Sequence, residues 1–163
     1  MRSAKQPNLQ ENPVNSLKNL HIPIDAILQG DSLAVLKSLP DNTLKNYRLM
    51  FRGGSHTAVA TVERSQGDEV PVLIWRLQPK DEKALDVYEG WPHLYRKETL
   101  RVTVNGKRLY AMIYIMNEGR HPYGAPSPQY FCTILTGYRS AGFDPQVLRQ
   151  AAIRSMEEPQ KQP

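Results

Sequence analysis

The sequence lacks several features that would assign it to a class at once. It has one cysteine in 163 residues, which cannot form an internal disulfide, so we expect a reducing compartment. No apolar run reaches the roughly 18 residues that a membrane-spanning helix needs. The first residues show no secretory signal, because no apolar run follows their charges. We therefore expect a cytoplasmic protein, at a length that suits one ordinary domain.

The sequence also shows no dense cluster of like charges and no spacing typical of metal ligands. The net charge is +5, but Lys and Arg are spread along the chain without a block of five or six like charges. Binding to nucleic acid or to a membrane is therefore not expected. The histidines are scattered at His21, His56, His93 and His121. None has the spacing of a ligand set, so we expect no metal. Cys132 lies beside Phe131 on a predicted helix stripe and is expected in the core.

The first forty residues predict an arm followed by one small structural unit. Residues 1–20 are polar and should bury little apolar area. An apolar run over 22–28 predicts a strand, and Gly30 lies in the turn after it. Asp31 is placed to cap a helix over 31–39, whose apolar stripe consists of Leu33, Leu36 and Leu39. Both apolar faces need cover, so we expect this strand and helix to dock on the rest of the chain.

The middle of the chain alternates strands and turns. Strands are predicted over 47–52, 57–63 and 70–77, with turns at Gly53-Gly54 and at residues 66–68. A short helix should follow over 79–88, because Pro begins it and Gly90 can end it.

The clearest hairpin pairs residues 97–104 with 107–116 around Asn105-Gly106, a dipeptide that favours a type I′ turn. This turn predicts that Val102 faces Leu109 and that Lys97 lies opposite Tyr114. Both faces are largely apolar, which indicates a curved sheet or small barrel with helices outside. We interpret the basic side chains of this region as a solvated face: Arg96, Lys97, Arg101, Lys107 and Arg108. Two capped helices then follow, starting after Ser127 and after Asp144.

The stretch 85–95 places one carboxylate, Glu89, at a Gly-terminated helix end with Tyr88 and Trp91 beside it. A carboxylate among aromatic rings is poorly solvated, and this raises its pKa towards the value that a general acid or base needs. The alternative is an ordinary solvated glutamate, and the residues alone favour that alternative.

Residues 24–42 resemble the opening of an amino-group DNA methyltransferase. The Asp-Pro-Pro-Tyr type of motif that should follow is absent, and so is a glycine-rich cofactor motif. The resemblance therefore implies a fragment joined near Thr43-Leu44, which makes residues 1–43 an N-terminal arm of a chimeric chain.

Five motifs in order and in register resemble the gamma-glutamylcyclotransferase-like family, which includes the AIG2-like proteins. They are LKNYRLMF at 44–51, LDVYEG at 85–90, YRKE at 95–98, YIM at 114–116 and PSPQY at 126–130. The resemblance implies an α/β (α+β) fold, a small mixed-sheet barrel with flanking helices, over residues 44–152. Residues 153–163 then form a polar tail.

The same resemblance implies a transferase reaction on small gamma-glutamyl compounds without a cofactor. The substrate's own α-amine attacks its γ-carbonyl and releases 5-oxoproline. Glu89 matches the family's general acid and base, while Tyr95, Tyr114 and Tyr130 match its pocket-lining tyrosines.

The sequence departs from the family in one respect. The Tyr-Gly-Ser-Asn-Leu turn, whose backbone N–H groups hold the substrate's α-carboxylate, does not occur, and Asp31 would repel that group. A catalytically silent fusion remnant or small-ligand binding module is therefore the alternative function.

Overall fold

The computed structural model describes residues 25–29, 35–36, 42–119 and 121–158, which form one mixed sheet with flanking helices. The strands are β1 Asp25–Gln29, β2 Val35–Leu36, β3 Thr43–Arg52, β4 Val59–Pro71, β5 Leu73–Leu77, β6 Tyr95–Val104 and β7 Lys107–Met116. The helices are α1 Pro79–Glu89, α2 Pro128–Ala141 and α3 Pro145–Glu157. The α+β class predicted from the sequence is confirmed.

The sheet is strongly rolled. Its strand order is β2-β5-β1-β7-β6-β3-β4, in which β1 and β5 are parallel and the other pairs are antiparallel. Five strand-to-strand steps separate β5 from β4, about 24 Å in a flat sheet. Only Val72 connects these two strands along the chain, and one residue spans no more than about 7 Å between its neighbours. The sheet must therefore curl until β4 approaches β5.

Side-chain hydrogen bonds, not backbone pairing, join the outer edge of β4 to β6 and β7. The Tyr95 hydroxyl donates to the Ala60 carbonyl at 2.9 Å, and the Met116 N–H donates to Thr61 Oγ1 at 3.0 Å. The predicted barrel is therefore corrected to an open, rolled sheet, since no strand pairs with β4 on its outer side among the described residues.

The β6–β7 hairpin agrees with its prediction residue by residue. Val102 pairs with Leu109, and Lys97 pairs with Tyr114. Asn105 and Gly106 have φ values of 51° and 73°, as a type I′ turn requires. The Asn-Gly dipeptide thus determines which side chains share each face of the hairpin.

The predicted strands before the hairpin are only partly correct. Residues 65–68, which include the turn predicted at 66–68, form a bulge inside β4, between the pairs Lys45–Glu69 and Tyr47–Arg64. The predicted strand over 70–77 is split, because β4 ends at Pro71 and β5 begins at Leu73. At the break, the Val72 N–H donates to the Asn42 carbonyl at 3.0 Å.

The N-terminal unit contributes strands to the same sheet. β1 lies between β5 and β7, in agreement with the predicted strand over 22–28. Val35 and Leu36 pair with β5 as β2, whereas a helix was predicted there. Residues 1–24 and the remainder of the predicted turn and helix lie outside the described residues, as does the position of Asp31.

The last helix, α3, begins at a side-chain cap and packs against β3. Asp144 caps α3, and this helix continues to Glu157, so residues 153–157 are helical and the predicted tail begins later. Ser155 of α3 is buried and accepts a hydrogen bond from the Phe51 N–H of β3 at 2.8 Å.

Cys132 is exposed on α2, so its predicted core position is wrong. Of the helices in the described ranges, none is long and apolar enough to cross a membrane.

Candidate active site

The candidate site is built on the C-terminal end of α1. Gly90 ends the helix in the left-handed conformation, with φ of 66°, and its N–H caps the last helical carbonyls. A short turn follows, in which the N–H groups of His93 and Leu94 both donate to the Gly90 carbonyl at 2.9 Å. The chain then enters β6 at Tyr95. Glu89 is therefore held between a fixed helix end and the start of a strand.

Glu89 lies in an environment that disfavours its charge. Burial raises the pKa of this carboxyl from 4.5 to about 7. Within the described part of the chain, Glu89 takes part in none of the ion pairs or hydrogen bonds. A carboxyl with this pKa is divided between its two protonation states near neutral pH, which suits a group that must both take and return a proton.

Two of the predicted tyrosines, Tyr95 and Tyr130, are hydrogen-bonded to the backbone of the same residue of β4, Ala60. The Tyr95 hydroxyl donates to the Ala60 carbonyl, and the Tyr130 hydroxyl accepts from the Ala60 N–H at 3.2 Å. Burial, with the Glu89 charge in support, raises the pKa of both phenols, that of Tyr130 to about 12. Both rings therefore stay protonated at neutral pH.

The third predicted tyrosine, Tyr114, belongs to a charged network between β7 and α1. Its hydroxyl donates to Asp86 at 2.6 Å. Lys97, its cross-strand neighbour, lies 2.6 Å from both Asp86 and Glu82. Burial opposes the charge on Asp86, but Lys97 and Tyr114 outweigh it and lower the pKa of this carboxyl. The network clamps α1 onto the hairpin.

The four predicted site residues are close enough to interact electrostatically. The charge on Glu89 raises the pKa of Tyr95, Tyr114 and Tyr130, although burial is the largest cause for each phenol. One carboxyl group thus lies within electrostatic range of three phenols, which come from β6, β7 and α2.

The role of Asp86 was not predicted from the sequence. Glu82, Asp86 and Glu89 recur at i, i+4 and i+7, a spacing that places them on one face of a helix. That spacing, together with the correctly predicted Lys97–Tyr114 pair, was enough to predict contact between the acidic face of α1 and the hairpin.

The two aromatic neighbours of Glu89 were misplaced. Tyr88 is 50% exposed and Trp91 is 45% exposed, so they form the rim of the site rather than its buried wall. Contrary to the prediction, the aromatic residues that flank Glu89 in the sequence are therefore not buried around it.

The described residues provide no set of side chains that could hold a metal ion. Over the described ranges, no group of three or more His, Cys, Asp and Glu side chains converges. The segment where the family's carboxylate-binding turn would follow β1 lies outside the described residues, so the geometry leaves that prediction untested.

Comparison with known proteins assigns the chain to a family. The family model described as "Gamma-glutamyl cyclotransferase, AIG2-like" matches residues 17–131. The chain belongs to the AIG2-like gamma-glutamyl cyclotransferase family. The match begins at residue 17, within the segment that we expected to be a separate arm.

Similar proteins carry the same description. The chain is 33% identical to the gamma-glutamylcyclotransferase of Mus musculus and 32% identical to that of Homo sapiens, over 89 residues in each case. These alignments cover 53% of this chain and 46% of each relative, so the chain matches about half their length. A solved structure named "Gamma-glutamyl cyclotransferase" aligns with a TM-score of 0.61 and 25% identity, covering 74% of this chain and 73% of that one.

Proposed function

We propose that the protein cyclises gamma-glutamyl amides or dipeptides to 5-oxoproline and a free amine, with Glu89 as general acid and base. The observation that carries this proposal is the desolvated Glu89 carboxyl with a pKa of about 7 among three phenols. Membership of the gamma-glutamyl cyclotransferase family supplies the substrate class.

The reaction needs proton transfers at two nitrogen atoms. The Glu89 carboxylate takes one proton from the substrate's α-ammonium, and the resulting amine nitrogen forms a bond to the γ-carbonyl carbon. Protonated Glu89 gives that proton to the leaving nitrogen as the original amide C–N bond breaks and the amine departs. The ring nitrogen, which still carries two protons, gives one to the Glu89 carboxylate and becomes the lactam N–H of 5-oxoproline, and Glu89 then releases this proton to solvent. Nucleophile and electrophile belong to one molecule, so holding the substrate in a bent conformation supplies much of the rate.

The surrounding residues hold Glu89 and line the space beside it. Lys97 neutralises Asp86, so the nearest acidic neighbour on the helix does not compete for the substrate's protons. Tyr95, Tyr114 and Tyr130 stay protonated, so no phenolate competes with Glu89 for protons. Tyr95 and Tyr114 donate their protons to the Ala60 carbonyl and to Asp86, so these two phenols support the structure beside Glu89 and do not donate to the substrate.

The test is 5-oxoproline release from gamma-glutamyl-alanine by the purified full chain. We expect release that depends on Glu89, with Glu89→Gln slowing kcat by at least about a hundredfold, the usual size of a general acid–base contribution. The rate should rise with pH through about 7, because the carboxylate form of Glu89 starts the reaction. Glu118→Gln is the matched control, since this carboxylate is 87% exposed.

Two results would contradict the proposal. Undiminished release by Glu89→Gln would remove this carboxyl from the mechanism. No release by the wild-type chain from any gamma-glutamyl compound in a panel, with the chain folded, would instead support the catalytically silent alternative.

A further inference from the structure

A second concave site lies on the hairpin face, towards the turn and away from the α1 network. β3 and β6 pair at Thr43–Thr103, the pair that the two strands share. Beside this pair is a cavity of about 380 Å³. It is lined by Lys45, Asn46, Tyr47, Arg64, Leu100, Arg101, Thr103, Arg108 and Tyr110, which we call the basic cleft. Its volume is in the range of small-molecule sites.

The charges of the basic cleft are all of one sign. Lys45, Arg64, Arg101 and Arg108 line it, and no acidic side chain of the described residues does. None of these cations forms an ion pair within the described part of the chain. Arg96 and Lys97 of the same hairpin, by contrast, are paired with carboxylates at 2.6 Å. The basic residues that were predicted to form one solvated face therefore differ from one another. Arg96 and Lys97 are paired with carboxylates, whereas Arg101 and Arg108 line the cleft without an ion pair among the described residues.

Nearby carboxylates do not cancel the charge of the cleft. Glu69 is opposite Lys45 in the β3–β4 pairing but does not line the cavity. Glu98, which acts on the Tyr47 hydroxyl through its charge, is held by Arg96 at 2.6 Å. The four cations therefore act together on whatever enters the cleft.

Tyr47 gives the cleft a buried aromatic wall. The residue lines the cleft and is only 7% exposed. The Arg64 guanidinium lies over the Tyr47 ring, 5.5 Å from its centroid.

We propose that the basic cleft binds a phosphorylated small molecule of nucleotide size. Three of its four cations are arginines, whose planar guanidinium groups match phosphate oxygens in pairs. Tyr110, 70% exposed at the rim, offers a flat surface on which a planar ring can stack. The cations surround one bounded cavity and do not follow an extended track, which favours a small ligand over a nucleic-acid strand.

The experiment titrates the full chain with ATP, with pyrophosphate and with a ten-nucleotide single-stranded RNA by calorimetry at 150 mM NaCl. We expect ATP and pyrophosphate to bind, and ATP more tightly because its base reaches Tyr110. Arg101→Gln combined with Arg108→Gln should weaken ATP binding at least about tenfold, since contacts between charged groups are worth that much or more. Lys107→Gln is the matched control, because this cation is adjacent to Arg108 but does not line the cleft.

Three outcomes would overturn the proposal. They are no binding of either phosphate compound at millimolar concentration, equal weakening by Lys107→Gln, and RNA binding at least tenfold tighter than ATP binding. The third would assign the charges to a nucleic-acid surface. 5-Oxoproline release by the Arg101/Arg108 double variant separates this site from Glu89, because the variant leaves the α1 network intact.

Discussion

Asp86 and Glu89 are two carboxylates on one face of α1, and their environments shift their pKa values in opposite directions. Asp86 lies 2.6 Å from the Lys97 ammonium and accepts a hydrogen bond from Tyr114, and these partners hold its pKa below the ordinary value. Glu89 is one turn further along, has no such partner among the described residues, and has a pKa of about 7. The comparison shows that a neighbouring cation, and not burial alone, decides which carboxyl can exchange protons near neutral pH.

The largest expected effect on stability is a gain from removing Glu89. Its pKa is raised on folding, so the folded state is penalised as pH rises from about 4.5 and fully penalised above about 7. Glu89→Gln should therefore raise the free energy of unfolding by about 3 kcal/mol at pH 8.5, at roughly 1.4 kcal/mol per pKa unit. Near pH 4 the variant and wild type should be equal. Urea denaturation at both pH values measures the free energy of unfolding. A Glu89→Gln variant that is less stable than wild type at pH 8.5 would show that ionised Glu89 does not destabilise the folded state.

Removing the other carboxylate should have the opposite sign. The pKa of Asp86 is lowered, so its contribution is present at neutral pH and is lost as pH falls below about 4. Asp86→Asn should lower the free energy of unfolding by about 1–2 kcal/mol at pH 7, since it removes charged hydrogen bonds from side chains that are about one-fifth exposed. Glu69 is an exposed carboxylate that forms no ion pair within the described residues, so Glu69→Gln should change the free energy of unfolding by less than about 0.5 kcal/mol. Equal effects of the two variants on the free energy of unfolding would show that Asp86 does not hold α1 on the hairpin.

The smallest expected effect concerns the helix end that holds Glu89. Gly90→Ala forces a side chain into the left-handed region, 3.3 Å from Leu94 Cβ, and should cost about 1 kcal/mol of stability. It should also slow 5-oxoproline release, because the end of α1 shifts. Gly142→Ala is the matched control: it has the same backbone conformation at the end of α2 and no atom within 4 Å of the new Cβ. Equal rates in the two variants would mean that the helix end does not position Glu89.

The sequence predicted best where local chemistry determines structure. The Asn105-Gly106 turn determined the register of the hairpin, including the Lys97–Tyr114 pair, and Gly90 marked the end of α1. Residues 66–68 were misread because turn residues also occur in a bulge, where Gly67 adopts φ of 87°. The strand at Val35–Leu36 depends on pairing with β5, which no local pattern reports.

The residues of the candidate site come from the family resemblance, whereas their electrostatics could not be predicted from the sequence. Resemblance to the family predicted Glu89 and the three tyrosines as site residues, and in the fold the charge of Glu89 acts on all three phenols. The role of Asp86 depends on Lys97 reaching across from β6, a long-range contact between a helix and a hairpin. The basic cleft was missed for the same reason, since its cations come from β3, β4, β6 and β7.

The most direct test of this account is the pKa of Glu89 itself. NMR titration of the full chain with ¹³C-labelled glutamate side chains, with the resonance assigned through Glu89→Gln, measures it without reference to activity. The account predicts that one glutamate titrates at about pH 7 and that its resonance disappears in Glu89→Gln. A Glu89 that titrates between pH 4 and 5, like a solvated carboxyl, would contradict it.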